Sequence, residues 1–235
     1  MHEYINGVVA YCDALKAKKK AKKTINLSYD EWNVWFHSQQ QDALNKDRDR
    51  WTEARHQLED VYNFEDALVV GSMLMTLQNH SDRVKMACLA QLVNVIAPIM
   101  TENGGGSWIQ TIFYPFMYGS LYGRGSTLRT IVESDTYLSS ANWVIPYLYT
   151  SVIDNAEARE LTVFAANRSL EEDMELDLCL ENFGDFKIIE QIELYSDDLK
   201  AFNDKDNARV APASVALGDM VTLKKHSWNM IRIKY

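Results

Sequence analysis

Thr24-Ile25-Asn26-Leu27-Ser28-Tyr29-Asp30-Glu31-Trp32-Asn33-Val34-Trp35 is the segment around which the rest of the chain is arranged. It reads as a short strand over 24–29 that ends in two adjacent carboxylates and two tryptophans. Carboxylates are rarely buried unless paired, so a purely structural strand has little use for Asp30-Glu31 at its end. The C-terminal mouth of a barrel of parallel strands, by contrast, is where catalytic side chains gather. Trp35, four residues beyond Glu31, offers a flat apolar wall on which a sugar ring can rest. Glu31 is therefore the candidate nucleophile of a glycosidase. A solvated turn after a plain strand is the competing reading.

Upstream, Ile5, Val8, Val9, Cys12 and Leu15 follow helical spacing and predict a helix over 4–20. The basic run 16–23 then opposes the negative end of that helix's dipole, which a solvated helix end explains better than a nucleic-acid tail. Downstream, residues 37–58 are polar and aperiodic, a long loop at the expected mouth. Asn63 can cap a second helix, with Glu65 and Asp66 in its first turn and Ala67, Val70, Gly71, Leu74 and Leu77 on its apolar face. A second strand follows over 83–89, with Gln91 just past its end. Helix, strand, helix, strand is the grammar of a parallel sheet. The S-x-x-Q spacing of Ser107 and Gln110 predicts a capping box that opens a third helix running to about Tyr122, with Pro115 kinking it or opening its first turns.

From about residue 126 the grammar changes. Short β-like runs recur at 128–133, 146–153, 160–167, 174–180, 186–195, 220–223 and 228–234. Leu176, Leu178 and Leu180 alternate with Glu175, Asp177 and Cys179, the period of a half-exposed strand. Such spacing indicates an antiparallel β-sandwich. The fold class is thus α/β plus all-β.

Composition bounds the function. The chain has 235 residues, 47% hydrophobic and 24% charged, with a net charge of −9. All of that acidic excess lies beyond residue 130, which also marks a boundary. An acidic chain does not suit phosphate contacts, so no nucleic-acid partner is expected. Cys12, Cys88 and Cys179 are odd in number and widely spaced, which builds neither a disulfide framework nor a metal site; packing inside apolar runs is their expected role. The five histidines show neither H-x-x-x-H nor H-E-x-x-H spacing, so no metal and no cofactor is expected. No serine sits in G-x-S-x-G. No apolar run approaches the ~20 residues of a membrane span. Met1-His2-Glu3 leads into an amphipathic helix and not into a signal peptide, so the expected location is cytoplasmic.

Three longer strings carry a resemblance: Leu27 to Trp35, Ala87-Cys88-Leu89-Ala90-Gln91-Leu92-Val93-Asn94-Val95-Ile96-Ala97-Pro98-Ile99-Met100-Thr101, and Gln110-Thr111-Ile112-Phe113-Tyr114-Pro115-Phe116. In this order and spacing the chain resembles glycoside hydrolase family 51, the α-L-arabinofuranosidases. The resemblance implies a partial (β/α)8 TIM barrel, its last two strands and helices, over 1–127, followed by an antiparallel jelly-roll-type β-sandwich over 128–235. It implies retaining hydrolysis of terminal α-L-arabinofuranosyl groups from arabinan- and arabinoxylan-type oligosaccharides. Glu31 matches the nucleophile, while Trp35 and Gln91 match residues that line and hydrogen-bond the sugar. It also implies that full-length members are homo-oligomeric.

The same resemblance places residue 1 in the helix before barrel strand seven. Strands one to six, and the acid/base carboxylate that follows an asparagine, are then expected in an N-terminal barrel half outside these residues. None of the asparagines here is followed by glutamate. Glu65 and Glu102 are the nearest substitutes, although a helix N-terminus and a solvated loop account for them better. The alternative function is a non-catalytic β-sandwich that binds carbohydrate or a partner. An isolated chain is expected to self-associate through the apolar faces of Val8, Leu15, Ala67 and Leu74.

Overall fold

The computed structural model describes residues 1–35, 59–218 and 220–235. The loop expected over 37–58 lies outside them. Helix α1 (His2–Lys18) leads into strand β1 (Leu27–Trp32), helix α2 (Phe64–Asn79) and strand β2 (Val84–Leu89). β1 and β2 pair in parallel, as the alternation of helix and strand requires. The first strand runs three residues later than its composition suggests. Thr24 and Ile25 are taken up in the connection instead, where the Thr24 hydroxyl accepts from Lys16 Nζ and the Ile25 carbonyl from Arg83.

α2 begins where the sequence places it. The Asn63 side chain accepts from the Asp66 N–H, and Asp66 accepts from the Asn63 N–H, a reciprocal capping box. The other box does not form. Ser107 opens a short strand, β4 (Ser107–Ile109), which pairs with β3 (Ile99–Thr101) across the glycine turn. The third helix, α3 (Phe113–Tyr122), starts later and holds Pro115 in its first turn, where a proline costs no intrahelical hydrogen bond.

The remaining strands are β5 (Ser126–Leu128), β6 (Thr136–Leu138), β7 (Val144–Pro146), β8 (Leu148–Asn155), β9 (Glu160–Asn167), β10 (Met174–Leu176), β11 (Lys187–Leu194), β12 (Ala213–Ser214), β13 (Val221–Leu223) and β14 (Ser227–Lys234). Six of them form one sheet in the order β12-β11-β14-β9-β8-β5, antiparallel throughout. Its two faces are read off strand period. Phe164, Ala166, Trp228 and Met230 point to one side and Leu161, Val163, Ile231 and Ile233 to the other. The first face is covered by α2 and α3, through Phe64, Ala67, Met75, Tyr114 and Tyr118. The second is covered by β10, β13 and the segment around Leu178, Leu180 and Phe183. Because both faces are covered, β9 is buried along its whole length.

Two expectations are corrected here. Ala67 is not exposed but fully buried under the sheet. The cysteines do not pack as small hydrophobes: Cys12 is half-buried, whereas Cys88 and Cys179 are exposed, and all three are free. No described helix is long and apolar enough to cross a membrane.

Candidate functional site

Glu31 is the penultimate residue of β1 and is exposed. Its setting is irregular. Tyr29 faces Ala87 and Trp32 faces Leu89, so three steps along β1 match two along β2. The extra residue breaks the alternation: Leu27 and Tyr29 pack into the α/β cluster, Asp30 and Glu31 both face out, and Trp32 turns in, 4% exposed. A bulge of this kind re-aims a side chain at a strand end and is frequent beside active sites. Gln91 lies two residues past β2, exposed at the same end of the parallel pair. Trp35 lies three residues past β1 with 59% of its surface open. Glu31 and Gln91 thus share the C-terminal end of neighbouring parallel strands.

The backbone under this end is tied by polar side chains. Asn33 Nδ2 donates to the carbonyls of Ala90 at 2.8 Å and Ile96 at 2.7 Å, and its Oδ1 accepts from the Val34 N–H at 2.8 Å. The Ala90 N–H donates to the Trp32 carbonyl, and the Gln91 N–H to the Ile96 carbonyl. The Tyr62 hydroxyl, on a ring only 3% exposed, donates to the Val34 carbonyl at 2.7 Å. Burial, reinforced by the carboxylates of Asp60 and Asp66, pushes that phenol well above its ordinary range, so it stays a donor.

Beneath them Gln110, 1% exposed, accepts from the Tyr62 N–H and donates to the carbonyls of Asp60 and Ala97. The loop that carries Gln91 also holds two consecutive left-handed residues, Asn94 at φ 57° and Val95 at φ 61°. A β-branched residue there is strained by roughly 1–3 kcal/mol. The surroundings hold it in place: the Asn94 side chain bonds Thr101, and the Val95 carbonyl accepts from the Asp60 N–H.

Asn33 and Tyr62 carry no role in the sequence reading, and Gln110 carries only that of a helix cap. Asn33 sits two residues beyond Glu31 inside the motif, which is the one signal that could have drawn attention to it. Glu65 and Glu102 are occupied elsewhere, in ion pairs with Lys200 and Lys205. Among the described residues, no group of three or more histidine, cysteine or acidic side chains is placed to hold a metal ion.

A carboxylate and an amide therefore stand together at the C-terminal end of a parallel strand pair, with an antiparallel sheet elsewhere in the chain. The family model described as the α-L-arabinofuranosidase C-terminal domain matches residues 30–227. The chain belongs to that family, within glycoside hydrolase family 51. The "Intracellular exo-alpha-(1->5)-L-arabinofuranosidase 1" of Bacillus subtilis is 48% identical over 240 residues, covering all of this chain and 47% of that protein. The enzyme of the same type from Halalkalibacterium halodurans is 48% identical over 239 residues, covering 99% of this chain and 47% of its own. A solved family 51 α-L-arabinofuranosidase from Bifidobacterium longum superposes with a TM-score of 0.90 at 31% identity, covering 99% of this chain and 47% of that one. The chain spans about half the length of the curated relatives it matches.

Proposed function

We propose that this chain is the nucleophile-bearing C-terminal part of a retaining, exo-acting α-L-arabinofuranosidase. In this reading residues 1–127 are the last two strands and helices of a (β/α)8 barrel, and residues 128–235 a jelly-roll-type β-sandwich. The observation that carries it is the placement of Glu31 and Gln91 at the C-terminal ends of adjacent parallel strands, in a chain that matches arabinofuranosidases along its length.

Glu31, ionised, attacks the anomeric carbon of a terminal arabinofuranosyl group. A second carboxylate, about 5–5.5 Å away in a retaining enzyme, protonates the departing glycosidic oxygen. The same group then takes a proton from water, which displaces the sugar from Glu31 with overall retention. That acid is supplied by an N-terminal barrel half, because no asparagine here precedes a glutamate. Gln91 hydrogen-bonds the sugar hydroxyls and Trp35 walls the ring. The substrates are α-(1→5)-linked arabino-oligosaccharides and arabinoxylan side groups. The assembled enzyme is cytoplasmic, in line with relatives that are named intracellular, and homo-oligomeric, as the family resemblance implies.

The test joins this chain to the N-terminal half of the Bacillus subtilis relative. The chain alone should not turn over an aryl α-L-arabinofuranoside, since acid–base assistance contributes ~10²–10⁴-fold. The joined protein should, and Glu31→Gln should abolish that turnover. Activity that survives Glu31→Gln removes the nucleophile assignment, and robust turnover by the chain alone removes the acid assignment. The lack of an Asn-Glu pair favours one second reading, a non-catalytic carbohydrate-binding remnant. It predicts binding of arabino-oligosaccharide with no turnover in either form.

A further inference from the structure

We infer that Asn33 is a positioning residue that sets where Gln91 stands relative to Glu31. The inference rests on the roles proposed above for those two residues. Both hydrogens of the Asn33 amide are engaged, one on the Ala90 carbonyl and one on the Ile96 carbonyl. These two carbonyls bracket Gln91. Ala90 O belongs to the peptide that enters it, and Ile96 O accepts the Gln91 N–H at 3.1 Å. Asn33 itself is held by its neighbour, since its Oδ1 accepts from the Val34 N–H and the Val34 carbonyl is held by Tyr62. One planar amide therefore links the strand end that bears Glu31 to both sides of the residue proposed to grip the sugar.

The loop has reason to need such a link. Its left-handed residues at 94 and 95 store strain, and the segment from 90 to 96 lies outside the β1–β2 ladder. Only an amide of this length fits the task. Aspartate would turn an oxygen towards two carbonyl oxygens. Leucine keeps the shape but offers no donor. Glutamine is one methylene too long. A merely structural Asn33 would contribute to stability and nothing else, and the chemistry would not register its loss beyond that of unfolded protein.

Two measurements separate these roles. In the chain as it stands, hydrogen exchange of the Ala90 to Ile96 segment should accelerate in Asn33→Leu while β9 and β14 keep their protection; unchanged exchange overturns the inference. In the protein joined to the N-terminal half of the Bacillus subtilis relative, Asn33→Leu and Asn33→Asp should lower kcat/KM by roughly 10- to 100-fold, the scale of a displacement near 1 Å. The same Asn33→Leu in a Gln91→Ala background should change kcat/KM by less than about 3-fold, because the residue it positions is gone. Equal losses in both backgrounds overturn the inference and leave the proposed function intact. A joined protein that is inactive, or that tolerates Glu31→Gln, overturns the proposed function and this inference with it.

Discussion

Replacing Gln110 by leucine measures how much of the site depends on one buried amide. Gln110 is 1% exposed and makes three side-chain hydrogen bonds, at 2.9 Å from the Tyr62 N–H and at 3.0 and 2.8 Å to the carbonyls of Asp60 and Ala97. Leucine matches its bulk but pairs with none of these groups. A net hydrogen bond is worth about 0.5–1.5 kcal/mol and an orphaned buried group about 1–3, so Gln110→Leu should cost about 3 kcal/mol. That is a large part of the 5–15 kcal/mol typical of a domain. A surface capping-box partner, which the S-x-x-Q spacing suggested, would cost about 1 kcal/mol or less. Urea unfolding followed by tryptophan fluorescence separates the two values, since the m-value reports any change in the surface exposed. A loss below about 1 kcal/mol at constant m would refute the view that this amide holds all three backbone groups. Gln110→Glu should be at least as damaging, because two carbonyl oxygens would then face a carboxylate.

Gly71→Ala should destabilise the chain by about 1–3 kcal/mol, although alanine is the better helix former, because its Cβ would stand 2.5 Å from Trp228 Cδ1 in the core; a raised unfolding temperature would contradict this. Asn63→Ala should remove about 1 kcal/mol by opening the capping box at α2, again read by urea unfolding. Glu160 governs part of the acid limb. Its hydrogen bonds to Arg232, opposed in part by burial, hold its carboxyl below the ordinary 4.5. The folded value is depressed, so the pair's contribution is full above about pH 4.5 and is lost as pH falls through the lowered value. Glu160→Gln should lower stability near neutrality and flatten its pH dependence in that window, and an unaltered acid limb would count against the pair.

The parts of the fold set by local chemistry were legible. The Asn63 cap, the span of β9 and the in–out pattern from Glu175 to Leu180 follow from the residues themselves, even though the β10 ladder stops at Leu176. The carboxylate pair at the end of β1 was legible for the same reason. What was hidden depends on partners distant in sequence. Ser107 pairs with Thr101 instead of capping a helix, and Gln110 answers to Tyr62, 48 residues earlier. The β6–β7 hairpin, with Leu138, Trp143 and Val144 exposed, lacks the buried alternation that marks a strand. Cys88 and Cys179 sit on the open sides of their segments, and no spacing rule shows which side is open.

Helix α2 has one further consequence. Phe64, Ala67 and Met75 enter the core under the sheet, while Val70 and Leu77 enter the core around Ile5, Trp32 and Ile112. The two cores therefore share a wall. A genetic exchange that swapped everything after residue 127 for a foreign sheet would leave that wall facing a surface it was not shaped for. A breakpoint anywhere between α1 and β14 therefore cuts at least one of the two cores that α2 joins. The family match, from residue 30 to residue 227, spans parts of both cores.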